Sequence, residues 1–539
     1  MSETNLVLTA DQSKALAQIQ SFVERETSRV LILSGFAGTG KTTLMRELVD
    51  WFFASERRFV MLASTGRAAK VLSDKVGANR KATSAPDPET ANTVDVTRFA
   101  QTIHHYIYKF IGFNKDINKM LKEIEANDNV DNTGQLLLQF GKQEAKTEEP
   151  SMLYIVDEAS MVSDLKEPNP RQAIFGSGRL LKDLLDINPQ GKFIFVGDQC
   201  QLPPVGQSDS PALSQSYLYE NFAIEAEEVR LTEIVRQAKD NDIILAADRV
   251  RKLYEDPPAV RWGKLPLRNY KDIELVDSSK TLLDSYIADV RRAGYTAATL
   301  LCTTNRLCNQ HAKTIRPALG FTDTTLMEGE LLLVTQNNLP SNLRNGDLVR
   351  VVALGQRERR AGLTFLRVEV MDIASRQLFS LLLIEDILYS GYSNLDQSAQ
   401  KRLFIDFHIR MRERDIKQRS QEYEEQMFRD PYLNALRAVY GYALTCHKAQ
   451  GGEWPHVYVS IPRNFTLEAK AAAYQWLYTA MTRASERLYL VDEFLYRGLQ
   501  QRLSRQPQHR SYIIINVLTV GLHVSCLARG CPSLSKRDE

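Results

Sequence analysis

The chain has 539 residues, a formal net charge of +2, 43% hydrophobic residues and 25% charged residues. This length exceeds what one hydrophobic core usually holds, so roughly three or four domains are expected. The composition is that of a globular protein and excludes a disordered chain, while the near-neutral charge means that any basic surface must be local.

The cysteines and the terminal segments exclude other classes of protein. The six cysteines never occur in a C-x-x-C spacing, which argues against a zinc site and favours a reduced, cytoplasmic compartment. The N-terminal sequence MSETNLVLTADQ lacks the basic-then-apolar pattern of a secretion signal. The apolar stretch at 512–528 is interrupted by Asn516 and His523 and is shorter than the roughly 20 residues that span a bilayer. We therefore expect a buried terminal segment and no membrane contact.

Two groups of short β-rich apolar runs alternate with helical patterns along the chain. The first group comprises residues 30–33, 59–63, 153–156 and 193–196, and the second comprises 298–302, 442–444, 457–461 and 488–491. Such alternation is typical of parallel sheets that are covered by helices on both faces. The sequence therefore predicts an α/β protein with two doubly wound parallel-sheet cores.

A phosphate-binding loop follows the first predicted strand. Residues 35–42 have the sequence GFAGTGKT, which is the full G-x-x-x-x-G-K-[ST] pattern between a strand and a helix. Backbone N–H groups and the helix N-terminus suit phosphate there, Lys41 would reach the β- and γ-phosphates, and Thr42 would bind Mg²⁺. The predicted nucleotide-binding residues of this loop are Gly35, Gly38, Thr39, Gly40, Lys41, Thr42 and Thr43.

Two adjacent carboxylates end the third strand of the first group. Asp157 would hold Mg²⁺ through water, and Glu158 would orient and deprotonate the attacking water. Alone, such a pair is explained about as well by a solvated strand end. Together with the phosphate-binding loop, it predicts hydrolysis of the γ-phosphate of ATP.

Insertions interrupt both predicted cores. Residues 106–150 are polar, with a helical pattern at 117–126. Residues 329–386 contain strand-like runs at 331–335, 347–353, 364–371 and 377–384, with a tight-turn signal at Asn345 and Gly346, and they predict a small antiparallel barrel. Residues 387–430 carry many charges of both signs, which favours a solvated helical projection. The predicted domains are 1–235 for the first core, 236–328 with 431–501 for the second, and 502–539 for a terminal appendage of unknown role.

Further short blocks occur in a fixed order along the chain. They are LTADQ at 8–12, STGRAAK at 64–70, TIH at 102–104, GDQCQLPPV at 197–205, LTEIVRQ at 231–237, TCHKAQGGE at 445–453 and YTAMTRA at 478–484. This set resembles superfamily-one helicases, in particular the RecD/Dda-like group that moves 5′ to 3′. The resemblance covers most of residues 8–492. It implies two RecA-like P-loop cores, an SH3-like barrel at 329–386 and a small β-hairpin wedge at 106–150, where the helical pattern at 117–126 leaves the wedge open.

The resemblance also implies roles for individual residues. Gln12 would hydrogen-bond adenine, and Gln201 would sense the γ-phosphate on a loop braced by Asp198. Arg236 and Arg483 would approach the γ-phosphate from across the cleft, where a guanidinium suits the phosphoryl oxygens. Gly451 and Glu453 would belong to the nucleotide site. The residues that would contact the nucleic-acid strand are Thr65, Arg67, Thr102, His104, Thr445, His447 and Lys448. For these, the alternative of a helix cap or turn for each threonine and a core position for His104 stays open.

The function that follows is an ATP-dependent DNA helicase that moves along single-stranded DNA 5′ to 3′ and unwinds duplex junctions. We expect a cytoplasmic monomer, with repair or replication proteins as candidate partners. The alternatives are a helicase subunit of a multi-protein repair nuclease, a superfamily-one RNA helicase and a nucleotide-gated scaffold that does not unwind. Lys41, Asp157, Glu158 and Arg483 argue against the scaffold, and the sequence has no clustered Asp/Glu/Lys constellation for nuclease chemistry.

Overall fold

The computed structural model describes residues 8–25, 28–76, 100–120, 122, 135–144, 152–166, 173–235, 241–256, 267–338, 340–418, 420–462 and 470–491. The chain divides into Met1–Asp492 and Glu493–Glu539, and the architecture below is that of the first unit. The predicted appendage at 502–539, including the apolar stretch at 512–528, lies outside the described residues, as does Arg236. None of the described helices has both the length and the apolar character needed to cross a bilayer.

The first core is a parallel sheet of six strands. They are β1 (Val30–Gly35), β2 (Phe59–Ala63), β3 (Ala100–Thr102), β6 (Leu153–Asp157), β8 (Lys192–Gly197) and β9 (Glu227–Leu231), in the order β3–β2–β6–β8–β1–β9. Helices of this core are α1 (Ala10–Glu24), α2 (Lys41–Ala54), α3 (Gly66–Val76), α4 (Ile103–Ile107), α5 (Leu180–Asp186) and α6 (Gln215–Phe222). Apolar clusters lie on both faces of the sheet, which explains why its strands are continuous apolar runs.

The second core is a parallel sheet of five strands. They are β10 (Ile273–Val276), β11 (Ala298–Cys302), β17 (Ala443–Thr445), β18 (Trp454–Ser460) and β19 (Ala484–Val491), in the order β10–β19–β18–β11–β17. Its helices are α7 (Asp242–Glu255), α8 (Ser279–Ala293), α9 (Asn305–Ala318), α13 (Cys446–Ala449) and α14 (Lys470–Met481). The two sheets confirm the predicted α/β architecture with two parallel-sheet cores.

An antiparallel sheet interrupts the second core. Its strands are β12 (Leu331–Val334), β13 (Leu348–Arg360), β14 (Leu363–Asp372), β15 (Leu378–Ile384) and β16 (Ala438–Tyr440), in the order β15–β14–β13–β12–β16. The four predicted strands are confirmed, but β16 lies beyond the predicted boundary at 386. Leu436 exchanges backbone hydrogen bonds with Leu382 and Ile384, so the chain before β16 also touches β15. The SH3-like barrel itself stays a prediction.

The insertion in the first core contains strands that its polar sequence did not predict. The strands β4 (Tyr108–Phe113) and β5 (Leu138–Lys142) pair antiparallel, and β7 (Ala173–Phe175), which follows the insertion in the chain, pairs parallel with β5. Residues 117–120 and 122 are helical, whereas 121 and 123–126 lie outside the described residues. An antiparallel strand pair is therefore present in the segment for which the resemblance implies a β-hairpin and the helical pattern left that prediction undecided.

The charged segment at 387–430 is helical, as predicted, but the prediction of a solvated projection is wrong. It forms α10 (Asp386–Ser390), α11 (Gln397–Glu413) and α12 (Gln421–Arg429). Phe404, Phe407 and Met411 on α11 are buried in one cluster with residues of the antiparallel sheet and of the first-core insertion. The charges are compatible with this burial because they pair with each other: Arg410, for example, binds both Asp406 and Asp430.

Candidate nucleotide-binding site

The phosphate-binding loop joins β1 to α2. Gly38 and Gly40 have φ angles of +80° and +78°, a region that residues with a Cβ avoid. Gly40 is the N-cap of α2, so the helix starts at Lys41. The Lys41 ammonium donates hydrogen bonds to the carbonyl oxygens of Gly35 (2.6 Å) and Phe36 (3.2 Å). The loop thus has the conformation of a phosphate cradle, with its lysine folded back over it.

The two predicted catalytic carboxylates lie at the end of β6. Burial, together with the nearby charge of Glu158, raises the pKa of Asp157 to about 7, while the Lys41 charge acts in the opposite direction. Lys41 and Asp157 are therefore within electrostatic range of each other. Glu158 has the left-handed backbone conformation, with φ 50° and ψ 41°, which is uncommon for a residue with a side chain and is concentrated at functional sites.

Gln12 supports the loop from below. Its side chain is buried. The amide nitrogen donates to the carbonyl oxygen of Thr39 (3.1 Å), and the amide oxygen accepts from the backbone N–H of Thr9 (3.0 Å). A Cβ on Gly40 would lie 2.2 Å from the Gln12 amide nitrogen, so this glycine is required for the close approach. The adenine contact of Gln12 stays a prediction.

The loop after β8 carries Asp198 and Gln201. Asp198 is buried and accepts hydrogen bonds from the Cys200 backbone N–H (2.9 Å) and the Tyr478 hydroxyl (2.6 Å). The Gln201 side-chain oxygen is buried and has no hydrogen-bond partner within the described part of the chain. An unpaired buried amide oxygen is costly unless a ligand or water reaches it, which fits a residue that contacts bound nucleotide or its attacking water.

Helix α14 of the second core contacts this loop directly. The Gln475 amide donates to the Gln201 carbonyl oxygen (2.9 Å), and the Thr479 hydroxyl accepts from the Leu202 backbone N–H (2.9 Å). The Tyr478 hydroxyl accepts from the backbone N–H of Ala37 in the phosphate-binding loop (2.9 Å). One face of one helix therefore touches two nucleotide-handling loops of the other core.

Arg483 is buried just after α14. Its guanidinium donates to the carbonyl oxygens of Thr479 (3.2 Å) and Gly452 (3.3 Å) and to the Thr482 hydroxyl (3.2 Å), all within the second core. Burial raises the pKa of Asp198, and the positive charges of Lys41 and Arg483 oppose this shift. Arg483 is thus near the nucleotide loops while its hydrogen bonds remain in its own core.

Gly451 and Glu453 contact α3 of the first core in this structure. A Cβ on Gly451 would lie 3.2 Å from the Ala68 Cβ. Glu453 is exposed and forms an ion pair with Lys75 (3.3 Å). These contacts join the two cores at α3, and the nucleotide contacts predicted for both residues stay predictions.

The three threonines predicted to contact the strand are helix caps. The hydroxyls of Thr65, Thr102 and Thr445 accept hydrogen bonds from the backbone N–H groups of Ala68 (3.1 Å), His105 (3.3 Å) and Lys448 (3.4 Å), respectively. A capping hydroxyl accepts only one bond here and keeps its own proton for a phosphate oxygen. These hydrogen bonds support the alternative that each threonine is a helix cap. They leave the hydroxyl proton able to contact a nucleic-acid strand.

His104 and Arg67 are both half-buried against aromatic rings. The His104 ring packs against Tyr108 and Phe175, and burial lowers its pKa to about 4, so it is neutral near pH 7. The Arg67 guanidinium lies 4.4 Å from the Trp454 ring centroid, and burial lowers its pKa to about 10. Arg67 consequently remains cationic and is held in place by an aromatic face.

A surface cleft lies between the second core and the antiparallel sheet. Its lining includes Asn305, Asn309, Tyr392, Tyr440, Thr445 and Lys448. Tyr392 is 74% exposed. Burial lowers the pKa of Lys448, which lines the same cleft, and the pKa of His447, which precedes it in the chain. The sequence did not single out Tyr392, because an isolated tyrosine in a Gly/Ser-rich loop carries no periodic or motif signal.

Two family models match the chain. Residues 7–262 match the AAA domain, and residues 440–491 match the UvrD-like helicase C-terminal domain. The chain is therefore similar to the AAA domain over nearly its first half and to a helicase C-terminal domain in its second core. The two matches contain the phosphate-binding loop with its carboxylates and the Arg483 segment, respectively, which are the parts of the chain that meet at α14.

Known proteins similar to this chain share little identity with it. A mimivirus protein of uncharacterized function (Acanthamoeba polyphaga mimivirus) is 21% identical over 92% of this chain and 100% of its own. The ATP-dependent RecD2 DNA helicase of Deinococcus radiodurans is 23% identical over 89% of this chain and 48% of its own, so this chain spans about half the length of that relative. A solved Pif1 helicase from Bacteroides in complex with ADP-AlF3 and ssDNA is 14% identical, with coverage of 93% and 99% and a TM-score of 0.40.

Proposed function

We propose that this protein is a helicase that uses ATP hydrolysis to move 5′ to 3′ along single-stranded DNA and to unwind duplex DNA ahead of it. The observation that carries the proposal is the hydrogen-bonded contact between α14 of the second core and the phosphate-binding loop of the first. ATP is bound and hydrolysed at the phosphate-binding loop in this proposal, so a change at the loop alters its contact with α14. Hydrolysis can therefore change the relative position of the two cores. DNA as the substrate is supported by the similarity to the RecD2 DNA helicase, and the polarity is supported by the resemblance of the sequence blocks to the RecD/Dda-like group.

The proposed chemistry assigns one task to each side chain. Lys41 leaves the loop carbonyl oxygens and binds the β- and γ-phosphates, Glu158 takes a proton from the attacking water, and Gln201 orients that water or the γ-phosphate. Arg483 leaves its carbonyl partners and stabilises charge on the phosphoryl oxygens when the cleft closes. We assign Arg236 the same role from the resemblance of the block at 231–237 to superfamily-one helicases.

The residues at the loop fit Mg²⁺. The Thr42 hydroxyl and the Asp157 carboxylate are hard oxygen donors, as this ion requires. Asp157 is destabilised as an anion by burial and by Glu158, and a cation beside it relieves that cost. An ion held by these two residues would neutralise charge on the phosphates.

The proposed DNA surface runs past α3 and along the cleft at Tyr392. Lys448 supplies a cation, Thr445 a hydroxyl and Tyr392 an exposed ring on which a base can stack. We further propose that residues 329–386, together with β16, form the SH3-like barrel, and that β4 and β5 form the wedge that separates the strands. The protein acts as a monomer in this proposal.

The test compares partial duplexes that carry either a 5′ or a 3′ single-stranded tail. We expect ATP-dependent strand separation only with the 5′ tail, and none with Lys41→Ala because no other residue of the loop supplies its charge. Opening of 3′-tailed substrates alone would reject the polarity. Stimulation of hydrolysis by RNA and not by DNA would reject the substrate, and hydrolysis by Lys41→Ala within a factor of two of wild type would reject the site.

A further inference from the structure

The crest of the phosphate-binding loop, Phe36 and Ala37, is held by two helices of the second core. The guanidinium of Arg251 on α7 lies 3.8 Å from the centroid of the Phe36 ring. The hydroxyl of Tyr478 on α14 accepts from the Ala37 backbone N–H (2.9 Å) and donates to Asp198 (2.6 Å). Consecutive residues of the loop are therefore fixed by side chains from the opposite core.

Both holding side chains are themselves fixed. Arg251 is 8% exposed, and its guanidinium binds Asp248 (3.0 Å) and Glu255 (2.6 Å) on its own helix. Tyr478 is 1% exposed, and α7 packs along α14. A planar guanidinium on an aromatic face and a buried hydroxyl with one donor and one acceptor partner are geometrically specific contacts. The pair is a built element of the interface and not a chance approach of two surfaces.

The position of this pair relates it to the lysine. The carbonyl oxygen of Phe36 accepts from the Lys41 ammonium, while the ring of the same residue lies against Arg251. When Lys41 moves to a phosphate, the crest loses the hydrogen bond from its ammonium to the Phe36 carbonyl oxygen, and the contacts from the second core remain to hold it. The same Tyr478 hydroxyl reaches Asp198, on the loop that carries Gln201.

We propose that Arg251 and Tyr478, here named the loop clamp, are positioning residues that couple the phosphate-binding loop to the second core. This inference rests on the proposed ATPase function and deepens it by naming the residues through which DNA-induced movement of the second core reaches the nucleotide. The clamp holds the crest in register with Asp198, so that hydrolysis is fast only when the second core is correctly seated.

The test uses Tyr478→Phe, which removes only the hydroxyl, in the full-length protein. The change leaves the Ala37 N–H and an Asp198 oxygen without their partner, so we expect kcat with single-stranded DNA to fall about 10- to 100-fold. KM for ATP should change by less than about threefold, because the phosphate contacts of the loop remain. The ratio of DNA-stimulated to basal hydrolysis should fall with kcat.

The matched control is Tyr458→Phe. The Tyr458 hydroxyl also donates to a carboxylate at 2.6 Å, that of Asp289, within the second core. Tyr458→Phe therefore makes the same chemical change and causes a similar loss of stability, but away from the phosphate-binding loop. This variant should retain the wild-type kcat and DNA stimulation. Arg251→Met should reproduce the kcat defect, Arg251→Lys should restore it only in part, and the double variant with Tyr478→Phe should be less impaired than the product of the single effects.

The outcomes separate the two proposals. If the wild-type protein shows no DNA-stimulated ATP hydrolysis, the proposed function fails and the clamp fails with it. If wild-type hydrolysis is stimulated and Tyr478→Phe has unchanged kcat and stimulation, only the clamp is overturned. Equal defects in Tyr478→Phe and Tyr458→Phe would also overturn the clamp, because they would reflect a general loss of stability.

Discussion

The contact between α11 and the first-core insertion can be tested by Phe404→Ala. Phe404 is 3% exposed, and its ring meets the Phe113 ring of β4 edge to face, with 5.2 Å between centroids. Truncation of a buried phenylalanine costs about 3–5 kcal/mol, of which roughly 0.5–1.5 kcal/mol belongs to the ring pair. This cluster is separate from the apolar clusters of the two cores, so the loss should weaken the docking of β4 and β5.

Hydrogen exchange and two activity assays measure the result. Amide protection in β4 and β5 should fall by about 100-fold or more, since each 1.4 kcal/mol corresponds to a factor of ten. Unwinding of a 5′-tailed duplex should drop strongly, while hydrolysis stimulated by single-stranded DNA should stay within about twofold. Phe404→Leu is the control, because it keeps most of the volume. An equal loss of hydrolysis and unwinding, or normal unwinding despite lost protection, would refute the reasoning.

Three other substitutions test the site and the core. Glu158→Gln should bind ATP normally and lose hydrolysis, because only the base is removed; turnover within a factor of two of wild type would contradict this. Arg483→Ala should keep its ATP affinity while single-turnover hydrolysis falls by about 10³–10⁵, with poor rescue by lysine; a normal DNA-stimulated rate would show that Arg483 does not bridge the cores. Because burial lowers the pKa of His104 to about 4, the unfolded chain binds the additional proton between about pH 6.5 and 4, so the free energy of unfolding falls as pH drops through this window. His104→Phe should flatten that fall in urea titrations, and an unchanged pH dependence would place the titration elsewhere.

The parts of the fold that could be predicted are those with local signals. Strand β1, the glycine-rich turn and α2 are contiguous, so the loop geometry follows from one stretch of sequence. Strand β16 could not be found in this way, because three residues carry no periodicity and their partner β12 lies roughly 100 residues earlier. The antiparallel pair of β4 and β5 was obscured by the polar sequence between its strands.

The site shows the same division between local and tertiary information. Lys41, Asp157 and Glu158 could be predicted because their motifs are short and follow strands. Arg251 could not, since charged partners three and four residues away on one helix are the usual pattern of a solvated face. Only the packing of α7 against the phosphate-binding loop shows that this cation lies over Phe36.

The link between the antiparallel sheet and the second core is too short to be flexible. Strand β16 ends at Tyr440 and β17 begins at Ala443. Tyr442 lies between them. Its hydroxyl donates to buried Glu330 (3.0 Å), and the backbone carbonyl oxygen of Tyr442 accepts from the Tyr286 hydroxyl (2.7 Å). In the proposed function, a force that nucleic acid exerts on the antiparallel sheet is therefore transmitted directly to Thr445 and the helix it caps. Glycines inserted after Gly441 would make this connection longer and more flexible. Under load in an optical trap, the variant should travel a shorter distance along DNA before it slips.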